Sequence, residues 1–163
     1  VTVFAVEPLT RHAFAAFGDV IDPEGMVSFP INQGFAERFN DLANVDVGDA
    51  GGAANISIVV ANPQPRPLTL RLMERHPLGS QVFFPLQDSD WLVAVCADPR
   101  DASTFRVFRA GGRQGINYGK GVWHHPLLVL DQASRFLVVD RRGPGNNLEE
   151  VRLAAGWTIN MAP

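Results

Sequence analysis

Leu68-Thr69-Leu70-Arg71-Leu72-Met73-Glu74-Arg75-His76 alternates with period two, so an extended chain sets Leu68, Leu70, Leu72, Glu74 and His76 on one face. Three leucines mark that face as core-facing, and the same face then ends in a carboxylate and an imidazole. Such a strand either leaves the core for solvent or enters a polar cavity inside a barrel. Strand ends usually emerge, so the segment by itself favours solvent.

Similar short runs recur on both sides of it. Residues 55–61, 81–86, 91–97, 104–109, 122–130 and 135–140 read as further strands, with Pro, Gly, Asp and Asn between them. The 15 glycines and 12 prolines are spread along the chain rather than gathered into a linker. Seven short strands with almost no helical pattern point to a sandwich or barrel rather than to alternating βαβ units. A strand at residues 3–6 precedes a two-turn helix, with Thr10 as its N-cap, Gly18 closing it and Phe14 and Phe17 on one face. From Ile21 to Gly52 the sequence is irregular, and residues 31–42 mix polar groups densely with apolar ones. No repeat and no boundary interrupts the 163 residues, so one domain over residues 1–163 is expected.

Charge and composition exclude several classes. A net charge of -3 with 19% charged residues offers no basic face for nucleic acid and no signature of disorder. No apolar stretch approaches the roughly 20 residues of a membrane span, and no basic, then apolar, leader opens the chain, so a cytoplasmic protein is expected. The single cysteine, Cys96, lies in an apolar run and reads as a buried, reduced thiol. Lys120 is the only lysine, so any Schiff-base chemistry would depend on it.

The second polar cluster is Asn117-Tyr118-Gly119-Lys120-Gly121-Val122-Trp123-His124-His125-Pro126. Adjacent histidines on an extended chain point to opposite faces, so at most one of His124 and His125 can join a given cavity. Either could equally be a core histidine satisfied by a backbone carbonyl. Phosphate-loop, dinucleotide, nucleophile-elbow and H-E-x-x-H patterns are absent, and Gly111-Gly112-Arg113-Gln114-Gly115 reads as a turn between strands. Arg141-Arg142 before Gly-Pro-Gly reads as a solvated turn.

Glu74-Arg75-His76-Pro77-Leu78-Gly79-Ser80-Gln81, Gln114-Gly115-Ile116-Asn117-Tyr118 and Trp123-His124-His125-Pro126-Leu127 resemble the signature of the bacterial ureidoglycolate lyase family, formerly called ureidoglycolate hydrolase. The resemblance extends to Ile31-Asn32-Gln33-Gly34, Glu37-Arg38, Asp41-Leu42-Ala43 and Phe136-Leu137-Val138-Val139-Asp140-Arg141. Asn40 stands where many members have a histidine, which argues against an essential acid or base there. The family is similar to cupins, so the resemblance implies an all-β, cupin-like jelly-roll barrel with a short N-terminal helix, and a homodimer. Against the cupin motifs H-x-H-x(3,4)-E and G-x-x-H stand Glu74-x-His76-x4-Gln81 and Gly121-Val122-Trp123-His124.

The resemblance therefore turns Glu74 and His76 inward and makes Glu74, His76, Gln81 and His124 the expected catalytic set. The same four could hold a divalent ion such as Ni²⁺, Mn²⁺ or Zn²⁺, more weakly than a typical cupin does. It places Asn117, Tyr118 and Lys120 at the rim, brings Arg38 and Asn32 over the substrate, and sends Arg75 to the opposite face. The implied reaction is cleavage of (S)-ureidoglycolate to glyoxylate and urea, which needs one base and one acid and no organic cofactor. Two alternatives stay open: a cupin isomerase or hydrolase of another small polar acid, and a metabolite-binding cupin without turnover.

Overall fold

The computed structural model describes residues 2–154 and 156–161. Its elements in chain order are β1 (Thr2–Pro8), α1 (Arg11–Phe14), β2 (Gly18–Ile21), β3 (Ser28–Ile31), β4 (Ala36–Phe39), β5 (Ala53–Ala61) and β6 (Leu72–Arg75). There follow β7 (Gln81–Pro85), β8 (Trp91–Cys96), β9 (Phe105–Ala110), β10 (Gly115–Tyr118) and β11 (Trp123–His124). The last four are β12 (Leu128–Val129), β13 (Ser134–Arg142), β14 (Glu149–Arg152) and β15 (Trp157–Asn160). One sheet runs β14-β6-β11-β8-β9-β1-β15 with β12 beside β8, and a second runs β2-β10-β7-β13-β5. The two curl into a cupin-like jelly-roll barrel, while β3 and β4 pair only with each other.

Apolar side chains divide between the two faces of the larger sheet. Trp91, Val93 and Val95 of β8 point into the barrel with Phe108, Ile116, Phe136 and Val138. Leu92, Ala94 and Cys96 point outward and are covered by Phe4, Leu68, Leu70, Met73 and Ile159. Both faces of β8 are therefore buried, which explains its unbroken apolar run.

That second cluster corrects the phase expected for residues 68–76. Leu68, Leu70 and Met73 share the outer cluster, so the alternation slips by one residue near Arg71. The cause lies in the backbone. Leu70 N–H bonds the Trp157 carbonyl and the Arg71 carbonyl accepts from Leu153, so this stretch follows the C-terminal segment, and β6 proper begins only at Leu72. Glu74 and His76 then lie on the face opposite Met73, toward the barrel.

Other differences are local. Thr10 caps α1 by accepting from Ala13 N–H, but the helix makes one turn instead of two, and Gly18 opens β2 with φ +148 instead of closing the helix. A Cβ on Gly18 would run into the Asn117 carbonyl. The stretch expected to be irregular holds the β3–β4 hairpin, and the long run 122–130 is split around Pro126 into β11 and β12. Arg141 is buried instead of solvated: its guanidinium donates to the carbonyls of Asp49, Ala50 and Pro144 and ties residues 49–50 to the sheet.

Candidate active site

Polar side chains meet at one end of the barrel, supplied by both sheets. Glu74 on β6 and His124 on β11 are direct register partners, and His124 also pairs with Val95, an inward residue of β8. His76 follows immediately after β6. From the other sheet, Gln81 of β7 faces Tyr118 of β10, and Tyr118 stacks on His124 with ring centroids 4.0 Å apart and an interplanar angle of 12°. The His76 and His124 rings are 5.3 Å apart. Ligating atoms of Glu74, His76 and His124 all lie within 4.8 Å of one another.

Hydrogen bonds fix which atoms face the cavity. His76 Nδ1 is 2.8 Å from the Asn147 carbonyl, and His124 Nδ1 is 3.0 Å from the Val122 carbonyl. A carbonyl only accepts, so in the neutral imidazole the proton sits on Nδ1 and Nε2 keeps a lone pair. Both Nε2 atoms are buried without a hydrogen-bond partner, as is Gln81 Oε1. Glu74 Oε1 stands 3.4 Å from His124 Nε2, an ion-pair distance without hydrogen-bond alignment. Burial alone would push the Glu74 carboxyl up, but His124, with His76 and His125, outweighs it and holds it below the ordinary value of 4.5. Three ligating atoms thus cluster, and the buried, unpartnered Gln81 Oε1 adds a fourth acceptor at the same barrel end. Such a set fits a cation or a ligand rich in N–H and O–H groups, and rings held through Nδ1 by carbonyls have the outer support usual for metal ligands.

The other expected residues separate into two groups. Tyr118 forms a wall of the cavity, and burial, then Glu74, raises its phenol above the ordinary range. Asn117 points to the outer face of its sheet, where Nδ2 donates to Asp19 Oδ2 and to the Asn44 carbonyl. Lys120 is held by Asp46 at 2.9 Å and Asp49 at 2.6 Å, which raise its ammonium and engage it in fastening residues 46–49 rather than a ligand. Asn32 lies in the turn of the β3–β4 hairpin and Arg38 on β4; both are exposed and neither makes a polar contact with the cluster. Asn40 donates to Asp41. Arg75, on the opposite face of β6, pairs with Glu149 and covers the Trp123 ring. His125 points away from His124, with Nδ1 on the Pro126 carbonyl and Nε2 facing Arg71 N–H.

Two contributors stand outside the expected set. Asn147 orients His76 through its carbonyl and accepts from Leu78 N–H through Oδ1. Asp140 of β13 bonds Gln81 and Asn55. Its signal was available: Phe136, Val138 and Asp140 form a period-two row ending in a carboxylate, the pattern used for Glu74. A surface cleft of about 690 Å³ lies at the far end of β10 beside Asp22, Phe39 and Gly112. Asp22, Asp88 and Asp90 there are engaged by Gln114, Arg113 and Arg109, so it lacks the unpartnered acceptors of the barrel end.

The family model described as ureidoglycolate lyase matches residues 1–160. A ureidoglycolate lyase of Burkholderia mallei is 51% identical over 150 residues, 91% of this chain and 88% of the relative. Ureidoglycolate lyase 1 of Rhizobium meliloti is 52% identical over 158 residues, 96% and 93% of the two chains. A ureidoglycolate lyase of Pseudomonas putida is 50% identical over 147 residues, 89% and 88%.

Proposed function

The chain belongs to the ureidoglycolate lyase family, and from that premise we infer that it cleaves (S)-ureidoglycolate to glyoxylate and urea at the barrel-end cluster. The observation that carries the site assignment is the pair of buried, unpartnered Nε2 lone pairs beside the ionised Glu74. The substrate is a carbinolamide. When a base takes its hydroxyl proton, the carbon–oxygen double bond forms as the carbon–nitrogen bond breaks, and the departing pair on nitrogen is protonated to give urea. Neither water nor an organic cofactor is consumed.

His76 or His124 is the base, because each presents a bare Nε2 held in place through Nδ1. The proton gained there returns to the ureido nitrogen from the same or the neighbouring ring. Glu74 does not act as the acid: it stays ionised, and its Oε1 stands 3.4 Å from His124 Nε2, where it faces an imidazolium formed on that ring. Tyr118, stacked on His124, keeps that ring from turning.

The donor set also fits a divalent ion. Glu74, His76, His124 and the Gln81 carbonyl would hold it, and when bound it supplies Lewis-acid polarisation of the substrate's oxygens. Full turnover by stripped enzyme in chelator would remove the ion from this reading and leave the same residues as a proton-transfer cluster.

The reading extends to a cytoplasmic homodimer. Ile56, Ile58 and Val60 form an exposed apolar row on the edge strand β5, and Ile56 and Ile58 sit beside Val139 and Leu137 of β13, next to Val82 and Phe84 of β7. A contiguous apolar sheet face of this kind is suited to the same face of a second copy.

Racemic ureidoglycolate tests the activity. Release of glyoxylate and urea in equal amounts, above the spontaneous rate and stopping at half of the racemate, is the expected result. Ammonia and carbon dioxide in place of urea would make the protein an amidohydrolase, and no acceleration would leave a binding module.

A further inference from the structure

Gln81 enters the cavity with one amide atom already committed. Its Nε2 donates to Asp140 Oδ2 at 3.3 Å, while Oε1 is buried with no hydrogen-bond partner. Asp140 Oδ1 accepts from Asn55 Nδ2 at 2.9 Å, so both carboxylate oxygens are occupied. The three residues belong to neighbouring strands. Asn55 of β5 is the register partner of Asp140 on β13, and Gln81 stands one step beyond the Val82–Val139 rung between β7 and β13. An ionised carboxylate accepts and never donates, so it binds the NH₂ end of the amide and turns the carbonyl toward the cavity.

We infer that Asp140, held by Asn55, is a positioning residue that fixes the Gln81 carbonyl as the acceptor for the ureido N–H groups of the substrate. The inference rests on the lyase reading and deepens it. The ureido end of the substrate carries all of its N–H donors, and the two unpartnered imidazole nitrogens and the Glu74 carboxylate of the same barrel end also accept. With the amide turned over, two N–H donors would face that end instead, and a buried donor–donor clash weakens binding.

The test compares wild type, Asp140→Asn, Gln81→Glu and the double variant. Asp140→Asn introduces a donor that releases the amide, and kcat/KM is expected to fall about tenfold or more, mainly through KM. Gln81→Glu sets two carboxylates side by side and also loses activity. In the double variant the new carboxylate accepts from the new amide and still offers an oxygen to the cavity, so kcat/KM recovers about fivefold or more over Asp140→Asn. Side-chain amide NMR gives a readout independent of turnover. One Gln81 Nε2 proton, assigned by its loss in Gln81→Glu, is expected downfield and slow to exchange in wild type, and to lose both properties in Asp140→Asn. If Asp140→Asn fails to fold, Asn55→Ala loosens the carboxylate without removing it, and a smaller rise in KM with the same NMR change is expected. An unchanged KM and unchanged Gln81 resonance in whichever single variant folds, or a double variant no better than Asp140→Asn, overturns the inference. Absence of urea release by wild type would instead refute the lyase reading, and the NMR comparison would then decide the role of Asp140.

Discussion

At the scale of single residues, chemistry is set by which atom of each side chain is already used. His76 and His124 both spend Nδ1 on a carbonyl, so both present Nε2, and the Glu74 carboxylate stands 3.4 Å from that of His124. Glu74→Gln keeps the shape and removes the charge. Urea release is expected to drop by about 100-fold with an unchanged circular dichroism spectrum, and a loss smaller than tenfold would contradict the role given to Glu74. Cys96 illustrates the opposite case, a thiol that burial pushes from 9.0 to about 12. The folded form keeps the thiol proton while the unfolded chain loses it, so this contribution is intact below pH 9 and falls as pH rises from 9 toward 12, by about 1.4 kcal/mol per pH unit. Chemical denaturation at pH 8 and pH 10 measures it, and Cys96→Ala is expected to shrink the difference. Glu74, His76 and His124 were joined at the sequence level only by the family resemblance, because the alternation over residues 68–76 by itself favoured solvent. The true partners of Lys120 were not legible, since Asp46 and Asp49 lie more than 70 residues away in the chain and only folding brings them together.

Strands were legible where an apolar run is bounded by turn residues, as in β7, β8 and β13. They were hidden where elements are four residues long and take their shape from neighbours, as in β2, β3, β4 and β10. The slip at Arg71 belongs to the same class: it is imposed by bonds to the C-terminal segment that no local pattern announces. Gly18 shows what such tertiary placement costs to disturb. With φ +148 and the Asn117 carbonyl against it, Gly18→Ala is expected to destabilise by more than about 2 kcal/mol. Gly25, with φ +73 and open space around it, is expected to cost only about 1 kcal/mol on substitution by alanine. Equal losses in urea denaturation would contradict the crowding at Gly18.

For the whole molecule, the spacing of strands and turns left a sandwich or a barrel open and the family resemblance implied the barrel, while the joining of two sheets at one polar end was not legible in strand spacing, because it depends on which strand ends meet. The outer face of the smaller sheet carries the expectation for assembly: sedimentation should give twice the chain mass, and Ile58→Glu should give the single chain, whereas a monomeric wild type would contradict a homodimer through this face. The central claim is that imidazoles from the barrel end perform the proton transfers of urea release. Its most direct measurement is the rate of urea formation from ureidoglycolate by wild type, His76→Ala and His124→Ala side by side, above the spontaneous rate. The account predicts acceleration by wild type and losses of about 100-fold or more in at least one histidine variant, while undiminished rates in both would contradict it.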